Sequence, residues 1–132
     1  ADLLIEFIHA ELDAADYDYV MPVPLHRVRQ RARGFNQSAL LTEQILPFFP
    51  EAALNESLRR IRPTRTLSLT KDPAERRANV RGAFAVVGPE LANARELLVD
   101  DVVTTGCTVA ECARALHRAG ASRVHVLAVA LA

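Results

Sequence analysis

The chain has 132 residues, half of them hydrophobic and 24% charged. That length and balance suit one globular domain with its own core and exclude a largely disordered chain. No apolar run approaches the roughly 18 residues that span a bilayer, and no N-terminal secretion pattern is visible, so a cytoplasmic protein with no membrane span is expected.

Cys107 and Cys112 are spaced neither as a zinc pair nor as a redox pair, which points to reduced thiols. The formal net charge is zero but unevenly spread. Residues 1–26 hold six acids and no Lys or Arg, whereas residues 27–81 hold eleven Arg and Lys71 against five acids. Arginine presents a planar fork of donors suited to phosphate and carboxylate. A GC-rich genome explains the preference for Arg over Lys equally well; it is the clustering that favours an anionic ligand.

In chain order, residues 2–15 are predicted as a helix with Leu3, Leu4, Phe7, Ile8 and Leu12 on one face. Tyr17–Val23 reads as a strand stopped by the PVP at 22–24. An Arg-rich segment follows at 25–35. Asn36 or Ser38 then caps a helix to about Phe48, with Leu40, Leu41, Ile45 and Leu46 inward, ended by Pro47 and Pro50. Leu58–Ile61 is a short strand, and 62–73 is an aperiodic segment read as a mobile loop. Asp72 caps a short helix with Pro73 at its first position. Phe84–Val87 and Leu97–Val99 are strands, the second apolar enough to be covered on both faces. Thr108–Ala119 is a helix closed by Gly120, and Val124–Leu131 a second apolar strand. The last forty residues thus read strand, helix, strand, a βαβ unit with parallel pairing, which places the chain in the α/β class.

The chemistry is concentrated in the turn after Val99. In open α/β sheets, ligands sit beyond the carboxyl ends of the strands, and Asp100 and Asp101 stand there. Val102, Val103, Thr104, Thr105, Gly106, Cys107 and Thr108 then lead into a helix. A helix start leaves backbone N–H groups for an anion, Gly106 allows close approach of a phosphate, and the three threonines add hydroxyl donors. Two adjacent carboxylates beside a phosphate site make sense where the ligand offers neutral hydroxyls or a bound Mg²⁺. A ribose 5-phosphate meets both conditions, with its 5-phosphate in the TTGCT loop and its 2- and 3-hydroxyls on Asp100 and Asp101. Read without that pattern, the two aspartates are a solvated strand end and a helix cap.

Apolar strand, D-D, two apolar residues, T-T-G-x-T and helix resembles the phosphoribosyl pyrophosphate (PRPP) signature of type I phosphoribosyltransferases. More narrowly, the chain resembles the ComF/GntX family, linked to competence for DNA uptake. The resemblance rests on PVPLHRVRQRARGFNQ at 22–37, RRIRPTRT with AERRANVRGAF across 59–84, and LLVDDVVTTGCTVAECARALHRAGA at 97–121. Family members usually begin with a cysteine-rich, zinc-ribbon-like segment that this sequence lacks. The chain is therefore expected to be the phosphoribosyltransferase domain alone, 1–132. Leu67 stands where the family often has Gln.

The resemblance implies a mostly parallel twisted sheet of about five strands with helices on both faces. It implies displacement of pyrophosphate from C1 of PRPP by a nucleophile the sequence does not specify. Asp100 and Asp101 would hold the ribose, and Thr104, Thr105, Gly106, Cys107 and Thr108 the 5-phosphate. Arg27, Arg31 and Arg33 would neutralise pyrophosphate, and Arg62, Arg65 and Arg76 would belong to a loop closing over the site. Mg²⁺ would be bound mainly through PRPP, with no direct protein ligand. The bland reading of both Arg groups is solvated surface. A second reading comes from another class: a non-enzymatic PRPP- or nucleotide-binding module that handles single-stranded DNA, with competence-machinery proteins as partners. The basic middle third suits a phosphate backbone, but five Phe, two Tyr and no Trp make a poor stacking platform.

Overall fold

The computed structural model describes residues 12–24, 37–62, 72–103 and 106–131. Its main sheet has four parallel strands. These are β1 (Tyr19–Pro22), β2 (Ala53–Leu54), β5 (Arg95–Val103) and β6 (Arg123–Leu131), in the spatial order β2-β1-β5-β6. A separate antiparallel pair joins β3 (Leu58–Arg60) to β4 (Phe84–Val86), with Arg59 opposite Ala85. The helices are α1 (Gln37–Ile45), α2 (Pro73–Val80) and α3 (Cys107–Arg118). The expected α/β class and parallel βαβ unit are present: β5 runs beside β6 from Arg95↔Arg123 to Val103↔Leu131. Among the described residues the parallel sheet has four strands rather than about five.

Alternation along the two central strands divides the core. Met21 and Leu98 point to one side, where Leu58, Phe84, Cys112 and Leu116 pack against them from the β3–β4 pair and α3. Val20, Leu97 and Val99 point to the other, against Ile45 and Phe49 from α1 and the segment after it. A strand whose successive side chains are all apolar is the signature of a sheet covered on both faces, and Leu97, Leu98 and Val99 are all buried.

Several boundaries and faces differ from the sequence reading. The predicted first helix lies outside the described residues up to position 11, and its end is not α-helical. Asp13 is extended and its carboxylate accepts the Ala15 N–H at 3.0 Å, which starts a 3-10 turn at Ala14–Asp16 instead. Leu40, expected inward, is 48% exposed, and the buried positions of α1 are Ser38, Thr42 and Ile45. Those three lie at i, i+4 and i+7, one face of a helix. Their hydroxyls tolerate burial because they are bonded: Thr42 Oγ1 donates to the Ser38 carbonyl at 2.7 Å. Pro47 does end α1, though as part of a 3-10 turn at Leu46–Phe48. Asp72 and Pro73 start α2 as expected, with the aspartate accepting the Ala74 N–H at 3.0 Å. Gly120, at φ +107, closes α3.

Candidate functional site

The carboxyl end of β5 is central in the sheet, flanked by β1 and β6, and it runs directly toward α3. Asp100 and Asp101 are half-buried in the last part of that strand. Asp100 Oδ1 accepts two hydrogen bonds, one from the Asp101 backbone N–H at 2.9 Å and one from Ser38 Oγ at 3.1 Å. Ser38 comes from the first turn of α1, so the site is assembled from two elements far apart in sequence. Burial pushes the Asp100 carboxyl up to about 6, and the neighbouring Asp101 carboxylate adds to the rise through a hydrogen bond and its charge. The two bonds from Ser38 and the Asp101 backbone oppose it.

Gly106 is the N-cap of α3 at φ +80, and among the described residues, its chain neighbours aside, no atom lies within 4 Å of where its Cβ would be. The turn needs glycine for its backbone angle, and the space beside it is open. Cys107 and Thr108 form the start of α3 and are half-buried. Cys112 is fully buried, and burial holds its thiol well above the usual range, so it is inert packing.

Of the other residues singled out, Thr104, Thr105, Arg27, Arg31, Arg33 and Arg65 lie outside the described residues, as does the side chain of Arg76. Arg62 is described. Its guanidinium donates to the Arg81 and Ala78 carbonyls, at the end of α2. Among the described residues no group of three or more His, Cys, Asp or Glu gathers as a metal would need, while the two carboxylates at the β5 end are of the hard-oxygen type that suits Mg²⁺.

Sequence reasoning gave Ser38 only a capping role and did not find its bond to Asp100. It also missed Glu111, a buried acid on α3 that accepts the Gly82 N–H at 3.0 Å and pairs with Arg114 at 3.1 Å and Arg118 at 3.6 Å. The inward position of Glu111 beside Cys112 carried the only signal, a charge on the apolar side of an amphipathic helix.

No family model matches the chain. It is 36% identical over 115 residues to Competence protein F of Haemophilus influenzae, covering 86% of this chain and 50% of that one. It is 37% identical over 126 residues to the DNA utilization protein YhgH of Escherichia coli K12, covering 94% and 55%. The chain is homologous to Competence protein F. That relationship bears out the ComF/GntX resemblance carried by the three sequence blocks, and the chain spans about half the length of the curated relatives it matches. Among solved structures, the hypoxanthine phosphoribosyltransferase of Staphylococcus aureus superposes over 98% of this chain and 61% of its own, with TM-score 0.62 and 12% identity. The purine phosphoribosyltransferase of Pyrococcus horikoshii does so over 98% and 68%, with TM-score 0.55 and 14% identity. This Competence protein F homologue has the type I phosphoribosyltransferase fold. Among its described residues, no helix is long and apolar enough to cross a membrane.

Proposed function

We propose that this Competence protein F homologue binds PRPP with Mg²⁺ and displaces its pyrophosphate with a nucleophile. The observation that carries the reading is the Asp100–Asp101 pair at the carboxyl end of a central parallel strand, directly ahead of the glycine-started helix α3. As positive charge develops at C1 and the ribose ring oxygen, the two carboxylates hold the sugar hydroxyls. The 104–108 turn holds the 5-phosphate. Catalysis is then positioning and electrostatics. Mg²⁺ supplies charge neutralisation of the pyrophosphate when bound, and it would relieve the repulsion between Asp100 and Asp101. Arg27, Arg31, Arg33, Arg65 and Arg76 are the candidates to face the leaving group. Screening PRPP with a panel of bases and amines for pyrophosphate release tests the reaction. Calorimetric titration with PRPP, with and without Mg²⁺, tests the binding. No heat at millimolar PRPP from folded protein overturns the reading.

The names of the relatives favour a second reading, a PRPP-binding module without turnover that serves DNA handling. It predicts PRPP binding without pyrophosphate release under any acceptor. It also predicts single-strand binding that weakens steeply with salt, with a log–log slope of roughly −0.7 per phosphate contact.

A further inference from the structure

Cys112, Ala115 and Leu116 carry the buried face of α3 into the apolar core, and Glu111 is buried as deeply beside them. A buried carboxylate is strongly unfavourable unless its oxygens find partners. Two of its partners, Arg114 and Arg118, come from α3 itself, and their side chains are 64% exposed. They offset the charge but tie α3 to nothing else. The third is different. The Gly82 N–H, from the corner between α2 and β4, donates to Oε1 at 3.0 Å.

That corner is itself well tied. The Ile61 N–H donates to the Ala83 carbonyl at 2.7 Å, and the Arg62 guanidinium donates to the Arg81 and Ala78 carbonyls. Ala83 and Phe84 then enter the same core cluster as Cys112 and Leu116. On the α3 side, Glu111 lies four residues after Cys107, so both fall on one face of the helix. A cavity of about 290 Å³ separates the two segments, lined by Val80 and Arg81 at the end of α2, by Gly106 and Cys107, and by Glu111. The Glu111–Gly82 bond therefore spans the gap whose walls are the end of α2 and the start of α3. Burial alone would be met better by an apolar side chain of similar volume. Such a residue would leave the Gly82 N–H without its acceptor and the width of the gap unset.

We infer that Glu111 is a positioning residue for the proposed 5-phosphate turn. Through its bond to the Gly82 N–H it sets the distance between the end of α2 and Gly106–Thr108. It acts on the backbone of both segments and not on the ligand. The inference rests on the PRPP reading, since it concerns the same site.

A crossed pair of variants separates reach from charge. Glu111→Gln keeps an oxygen at the same reach and loses the charge. Glu111→Asp keeps the charge and falls one methylene short of Gly82. Each is titrated with ribose 5-phosphate and with PRPP and Mg²⁺, and the Gly82 amide is followed in ¹⁵N-labelled protein. Glu111→Gln should leave that amide near its parent position and both affinities within about threefold. Glu111→Asp should move the amide and weaken both ligands about tenfold or more, within what a misplacement of roughly 1 Å can cost. Glu111→Ala, with no acceptor, should repeat the Asp result. Cys112→Ala, a buried change on the same helix, should lower stability in chemical denaturation and leave both affinities unchanged. Parent-like affinity in Glu111→Asp or Glu111→Ala with the Gly82 amide displaced overturns the inference and spares the PRPP reading. So does loss of affinity in Glu111→Gln alone, or loss that follows stability across all four variants. Failure of the parent to bind either ligand overturns the PRPP reading, and this inference with it.

Discussion

Ser38 and Asp100, 62 positions apart, meet through a 3.1 Å hydrogen bond in which the serine hydroxyl donates to Oδ1. The bond ties the start of α1 to the end of β5 and favours the ionised carboxylate against the burial that raises it. Ser38→Ala removes that support, so Asp100 should hold its proton to higher pH. The hydroxyl's preference for the ionised over the neutral carboxyl is on the order of 1 kcal/mol, or roughly 0.7 of a pH unit. PRPP affinity measured from pH 5 to 8 should keep its plateau at high pH while its midpoint moves up by about that amount. An unmoved midpoint shows that the serine only packs.

Asp100→Asn with Asp101→Asn keeps the shape of the strand end and removes both charges. Charged hydrogen bonds to sugar hydroxyls contribute about 1.5–3 kcal/mol each, so PRPP affinity should fall about tenfold or more. Asp100 is raised from 3.8 to about 6 in the folded state, so the stability its proton contributes is lost as pH rises from about 4 to about 6. The variant's thermal midpoint should accordingly lie close to the parent's near pH 4 and exceed it by a constant margin above about pH 6. Unfolding of the variant would make the pair structural.

Glu96 is fully buried on β5, and neither carboxylate oxygen has a hydrogen-bond partner among the described residues. Burial, with Asp18 nearby, pushes it from 4.5 up to about 7. A carboxyl raised in the fold stabilises fully below its unfolded value and loses that contribution as pH climbs through the folded one. The parent's thermal midpoint should therefore decline between about pH 4.5 and pH 7. Glu96→Gln, scanned over the same range, should flatten this part of the decline. An identical slope in both proteins sinks the assignment.

Gly106 sits at φ +80 with open space around its missing Cβ. Gly106→Ala thus meets no steric wall, and its cost is backbone strain, about 1 kcal/mol. Chemical denaturation should register that loss. PRPP binding should weaken further, because the added methyl occupies the space a 5-phosphate needs. Loss of stability with unchanged affinity would place the phosphate elsewhere.

The sequence carried the fold well where periodicity is strong. The apolar run 97–99, the amphipathic α3 and the apolar β6 each obey one clear pattern, and the parallel βαβ unit follows from them. Asp72 with Pro73 gave the start of α2 to the residue, because capping chemistry is local. α1 was harder: Leu40 looked inward by type, yet Ser38 and Thr42 hold that face because their hydroxyls find partners only in the folded chain. The two aspartates were legible as a candidate pair from a contiguous pattern. The Ser38 contact and the pairing of Glu111 with Gly82 were not, since both join distant segments that no local spacing connects.

The centre of the sheet has a consequence for the order in which the chain acquires structure. Asp18, just before β1, grips Arg95 at the head of β5 through its backbone N–H at 2.7 Å and its guanidinium at 3.2 Å, across 77 positions. The neighbouring β5–α3–β6 unit closes over a short span. Loop closure over long separations slows folding, so the β5–α3–β6 unit is expected to form ahead of the β1–β5 pairing. On a ribosome, β1 emerges early with an unpaired edge and finds its central partner only after β5 has followed.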